Sequence, residues 1–187
     1  MEEGFSDKWV HLIKDGEVRD GVLRLLLENE GWYYTYPVSV SGKYHKHEPN
    51  MIAHVSRCIY FAQQFVKAFN LGNESADILY AGVILHDIGC SMVTANVKVD
   101  DPGWKYYEAT GWSRKNGHDL MHPIYSSIMI AANPFKHSRE IQDLVECHMA
   151  HWYGDRCRQP VTMLEHLCCT CDYLASRPEL KIEEKSE

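Results

Sequence analysis

The apolar run Ile78 to Leu85 ends on His86-Asp87, and that junction constrains the chain more than any other feature. An apolar stretch with Ser75 ahead of it as a cap reads as a buried helix ending near His86, which delivers an imidazole and a carboxylate to the interior. Two further stripes aim the same way. His54 shares a helical face with Cys58, Phe61 and Phe65, and Asp172 shares one with Leu164, Cys168 and Ala175. Taken singly, an inward histidine is usually a satisfied core residue and an Asp near a helix end is usually a cap. Taken together, they place four polar groups in an apolar interior. Burying an unpaired carboxylate costs several kcal/mol, so Asp87 and Asp172 call for a cation. Imidazole with carboxylate suits Mn, Fe, Zn or Mg.

The rest of the chain reads as helix and loop. Glu17 to Asn29 carries Val18, Val22, Leu25 and Leu26 at helical spacing, with Gly31 as the stop. An aromatic loop follows from Trp32 to Asn50, then a long helix from Met51 to Asn70. Residues 90–120 read as an irregular functional loop containing Trp104, Lys105, Tyr106, Tyr107, Trp112, Arg114 and Lys115. Pro123 suits the first turn of a helix from His122 to Ala132. Further helices are expected over Ser138–Trp152 and Thr162–Ser176. No strand run, repeat or linker stands out, so the fold expected is an all-α bundle of five to seven helices in one domain, with residues 1–32 as an N-terminal helical extension and 179–187 as a flexible charged tail.

Composition narrows the function class. A net charge of −7 argues against binding long nucleic acid. No stretch approaches the roughly 20 apolar residues of a membrane span, and the acidic start Met1-Glu2-Glu3 is unlike a signal peptide. Seven cysteines, an odd number with three crowded at Cys168, Cys169 and Cys171, point to a reducing, cytoplasmic setting rather than a disulfide framework. The three lie mid-helix without paired spacing and read as small core residues.

The order His54, His86-Asp87, His122, His148, Asp172 resembles the HD-domain metal-dependent phosphohydrolase superfamily over roughly residues 33–178. Ile78 to Gly89 is similar to the HD segment of bacterial 3'-5' exoribonucleases of that superfamily. Pro37, Ser39 and Lys43-Tyr44-His45 resemble the stretch leading to their first histidine, and Leu167 to Arg177 resembles their last helix. The resemblance implies one metal on His54, His86, Asp87 and Asp172, and a second on Asp87, His122 and His148, with Asp87 bridging. His151 is the rival to His148, which stacks one turn after Leu144. Two departures stand out. Cys90 occupies a position that is Lys in many relatives, so phosphate must be bound from elsewhere, and there is no room for a separate nucleic-acid-binding barrel.

What the resemblance implies is hydrolysis of a phosphoester in a nucleotide or short oligonucleotide by water activated at two divalent metals. His45 and His151 are the expected catalytic histidines beside Asp87, and Arg57, Lys43, Lys105 and His118 the expected substrate-binding groups. Arg57 stands three residues after His54. His118-Asp119 lacks an apolar helix before it and reads as a pocket pair or a decoy for the ligand dipeptide. Two other readings share the ligand set: a diiron oxygenase of the same fold acting on a small phosphorylated or polyol substrate, and a non-catalytic nucleotide-binding module. A homodimer is expected by family analogy only.

Overall fold

The computed structural model describes residues 9–39, 48–177, and 179–180. Its centre is a helix buried on every side. Helix α4 (Asn73–Leu85) buries ten consecutive residues from Ala76 to Leu85, and such a helix must be covered all round. The cover is α1 (Gly16–Glu28), α3 (Met51–Ala68), α6 (Ser138–Cys147) and α8 (Met163–Ala175). Helix α5 (His118–Ala132) packs on α6 and on the 3-10 turn Ile88–Met92 that follows α4. Short helices α2 (Glu30–Thr35) and α7 (Ala150–Tyr153) complete the helical part.

Helix boundaries follow from local chemistry. Asp15 caps α1 by accepting from the amides of Glu17 and Val18, and Asn50 caps α3 through the amide of Ala53. Thr162 and Glu165 form a reciprocal capping box at the start of α8. Buried Asp77 on α4 accepts from the amides of Lys14 and Asp15 at 2.8 Å each, tying the α1 entrance to the central helix.

Several expectations are corrected. Residues 94–115 are not irregular: they hold a three-stranded antiparallel sheet in the order β1 (Thr94–Ala95), β3 (Trp112–Lys115), β2 (Trp104–Tyr107). The fold is mostly helical, in line with the all-α bundle expected, with this small sheet added to it. Four-residue strands are too short for alternation to show in the sequence, although Gly111, at φ +74°, marks the hairpin turn. Helix α4 starts at Asn73 with Gly72 as its cap, so Ser75 lies inside the first turn. Helix α1 ends at Glu28 with Asn29 as its cap, close to the expected end, but Gly31 lies within α2, whose residues 32–35 fall in the stretch expected to be loop. Helix α5 begins at His118 after Gly117 (φ +77°), so Pro123 lies inside it and forgoes one backbone bond. The helix expected over Ser138–Trp152 is broken at His148-Met149 into α6 and α7. Among the described residues no helix is long and apolar enough to cross a membrane.

Candidate metal centre

Four buried histidines are oriented by a common device. The Nδ1 of His86 faces Val83 O at 2.7 Å, that of His122 faces His118 O at 3.0 Å, and that of His148 faces Val145 O at 2.6 Å. In His54 the partner of Nδ1 is the carboxylate of Glu48, at 3.0 Å. A carbonyl or carboxylate oxygen only accepts, so each Nδ1 carries the hydrogen and donates it. The Nε2 atoms are left to face one another, and this backing is how proteins aim imidazoles at a metal.

The Nε2 atoms fall into two groups that meet at Asp87. In the inner group His54 Nε2 lies 3.2 Å from His86 Nε2 and 3.3 Å from Asp172 Oδ1. In the outer group His122 Nε2 lies 3.0 Å from His148 Nε2. The Asp87 carboxylate is divided between them. Its Oδ1 is 3.1 Å from His122 and 3.3 Å from His148, and its Oδ2 is 3.4 Å from His86 and 3.9 Å from His54. Trp152 donates its indole N–H to Asp172 Oδ2 at 3.1 Å, which leaves Oδ1 turned toward His54. These buried His, Asp and Cys groups could hold a metal ion.

Close backbone packing makes this convergence physical. A Cβ on Gly89 would lie 2.3 Å from both His122 O and the Ser126 amide, so only glycine lets the turn after Asp87 pass against α5. Ser126 then fastens the two together, donating to His86 O at 2.7 Å and accepting from the Gly89 amide at 2.9 Å. The break at His148-Met149 turns His148 inward. Across that joint His151 no longer shares its face: it is exposed, against Thr170 and Tyr173.

The electrostatics fit a site that accumulates positive charge. Burial opposes ionisation of Asp87, yet His86, His122 and His148 hold its carboxyl well below the usual range. Asp172 is lowered in the same sense, burial being outweighed by His54, His86 and His148. His54 is pushed well above an ordinary histidine: burial pulls it down, but Cys58, Glu48 and Asp172 prevail. Protons or metal cations can satisfy such a cluster, and the chemistry of its donors, imidazole nitrogen and carboxylate oxygen, suits divalent metals.

The outer group opens into a cleft of about 610 Å³ whose lining includes Asp87, His122 and Asp172 but not His54, His86 or His148. Across the cleft stands the hairpin. Lys105 is opposite Arg114 and Tyr107 is opposite Trp112, so all four side chains share one sheet face. Lys105 Nζ and Arg114 Cζ sit 5.1 and 5.5 Å from the centre of the Tyr107 ring, and Arg114 donates to the Tyr107 hydroxyl. Trp112 is buried edge-on to Tyr36, which stacks on Trp32. His118 also lines the cleft. Its Nδ1 lies 2.9 Å from Asp119, and burial lowers it to about 4 despite that carboxylate, so its imidazole is neutral near pH 7.

The structure thus brings together His54, His86, Asp87, His122, His148 and Asp172, and places Lys105 and His118 in the adjoining cleft. Arg57 is put to a different use from the substrate contact expected of it. It donates to the carbonyls of Ala175, Arg177 and Leu180 and lies 3.5 Å from Glu48, fastening the end of α8 to α3. His151, expected to be catalytic, is outside the cleft lining. Lys43 and His45, like the tail from 181 onward, lie outside the described residues. Glu48 and Trp152 were not legible as site residues: Glu48 precedes α3, off any periodic face, and Trp152 follows the unforeseen break. Comparison with protein-family models, curated proteins and solved structures finds no match to this chain.

Proposed function

We propose that this protein is a metal-dependent phosphohydrolase of the HD-domain type, cleaving a phosphoester of a nucleotide or short oligonucleotide at a binuclear centre. The observation that carries the reading is the division of Asp87. One carboxylate presents Oδ1 to His122 and His148 and Oδ2 to His86 and His54, as a residue shared by two metal sites would. His54, His86 and Asp172 would complete one site, and His122 and His148 the other.

Two divalent cations held there would supply an activated water near neutral pH and charge stabilisation for the phosphoryl oxygens. The chain's own groups do the rest. Lys105 and Arg114 bring positive charge to the facing wall of the cleft, where a phosphate would otherwise meet Asp87, Asp119 and Asp172. Arg114 is held in place by Asp119 at 3.2 Å and by Tyr107. The Tyr107 ring holds both cations at the cleft wall through cation–π contacts. The open metal face and the basic hairpin face thus bracket a space suited to a mononucleotide or the end of a short strand.

The test is anaerobic turnover of a panel of nucleotides and short oligonucleotides by the Mn-loaded protein, followed by product chromatography and phosphate release. Cleavage without oxygen supports the hydrolase, and the products separate monoester from diester chemistry. Anaerobic inactivity with substrate-dependent oxygen uptake by the Fe-loaded protein would replace it with the oxygenase.

A further inference from the structure

Cys58 stands one helical turn after His54 on α3, fully buried, with its Sγ 3.6 Å from His54 Nε2. It belongs to the inner group: one donor atom each from His54, Cys58, His86 and Asp172 lies within 4.8 Å of every other. Tetrahedral zinc, with bonds of about 2.0–2.1 Å to nitrogen and about 2.3 Å to sulfur, separates its ligands by about 3.3 Å for N–N and about 3.5 Å for N–S. The distances from His54 Nε2 are 3.2 Å to His86 Nε2, 3.3 Å to Asp172 Oδ1 and 3.6 Å to Cys58 Sγ. The outer group has three such donors, on Asp87, His122 and His148, and no sulfur.

We propose that Cys58 is a metal ligand, its thiolate joining His54, His86 and Asp172 to close the inner half of the centre around zinc while the outer half keeps an open position toward the cleft. This rests on the binuclear reading and deepens it, because the two sites then have different jobs. His54, Cys58, His86 and Asp172, with the shared Asp87 Oδ2 3.4 Å from His86 as a fifth donor, leave the inner site closed, whereas the three donors of the outer site leave room for water or substrate. Asp87 (14% exposed) and His122 of the outer group line the cleft together with Asp172 of the inner group, while His54, Cys58 and His86 lie behind them, outside its lining. A thiolate also separates the sites by metal preference, since sulfur favours zinc over manganese or magnesium.

Burial pushes the Cys58 thiol up to about 11, the direction for any thiol in an apolar setting. A coordinated dication reverses that local field, and the thiol proton leaves to solvent as the metal binds. The other nearby thiol, Cys90, is a weaker candidate. Its Sγ lies 3.5 Å from His118 Nε2, and a metal on Cys90, His118 and His122 would draw His122 Nε2 from His148 and Asp87, which it already faces.

X-ray absorption at the zinc edge of the full-length protein carrying one equivalent of zinc decides the matter. The expected spectrum contains one sulfur neighbour per zinc at about 2.3 Å. That sulfur is retained in Cys90→Ser and lost in Cys58→Ser, whose zinc affinity falls at least about tenfold. With cobalt in place of zinc, thiolate-to-metal charge-transfer absorption is expected in the wild type and in Cys90→Ser only. Two bound metals with nitrogen and oxygen neighbours alone would overturn Cys58 ligation while leaving the binuclear reading intact. Sulfur lost only in Cys90→Ser would overturn it too, and absence of stoichiometric metal would defeat both. The wild-type spectrum decides even if Cys58→Ser does not fold.

Discussion

His86-Asp87 and His118-Asp119 are the same dipeptide, each at a helix end, yet their side chains are disposed in opposite ways. His86 closes the buried helix α4 and gives its Nδ1 hydrogen to a carbonyl, so Nε2 is free to join the cluster, and Asp87 is shared among four histidines. His118 opens α5, where Asp119 folds back on Nδ1 of its own neighbour and pairs with Arg114. The Nε2 of His118 meets the Tyr36 hydroxyl at 3.4 Å and the Cys90 thiol at 3.5 Å. The pair alone does not make a ligand. What backs the imidazole, and whether the carboxylate is already neutralised by a cation of the protein, decides between metal site and cleft wall.

The contrast is broken most directly by substitution of the two acids. Asp87→Ala is expected to strip bound metal and lower turnover at least about 10²–10³-fold, whereas Asp119→Ala should leave the metal content unchanged. Elemental analysis of the purified variants reads this, and equal metal loss from both would dissolve the distinction. Next in size is the backing of the imidazoles. Glu48→Ala removes the acceptor on His54 Nδ1 and should weaken metal binding about 10–100-fold in chelator competition, although Glu48 touches no substrate. Within the cluster, His122→Ala or His148→Ala should halve the metal content and His54→Ala should lower it further. Equal losses from all three would argue against two distinguishable sites.

On the cleft side the effects are smaller and of another kind. Arg114→Met should raise KM for a phosphorylated substrate about tenfold, the worth of a charge-assisted hydrogen bond, while bound metal stays constant. A fall in kcat at unchanged KM would move Arg114 from binding to transition-state contact. The smallest effect belongs to Asp119→Asn, which weakens the bond to His118 Nδ1 and should cost about 1 kcal/mol in urea denaturation with no change in metal content.

How far the site was legible depends on periodicity. His54, His86 and Asp172 lie on apolar helical faces, so spacing alone turns them inward, and all three are at most 6% exposed. The choice between His148 and His151 was open in the sequence because both fit one continuous helix; the break after Cys147 settles which turns inward. Arg57 illustrates the converse. Standing near His54 in sequence suggested a substrate contact, but helical geometry points it along α3 toward the carbonyls that end α8. The hairpin was hidden because its strands are four residues long, shorter than the window over which alternation is meaningful.

The sequence by itself determined a mostly helical chain, its buried central helix and the inward direction of the histidines and acids, because apolar periodicity acts over a few neighbouring residues and needs no knowledge of the rest. Only the tertiary structure decided that Asp87 is shared between two groups, that Asp172 meets His54, that Glu48 backs His54 and Trp152 backs Asp172, and that Lys105, Tyr107 and Arg114 line the same cleft. Those relations join residues up to 118 positions apart, from His54 to Asp172. Contacts of that separation are set by how helices pack, through features such as the close approach of α5 that Gly89 permits, and local preferences carry no record of them.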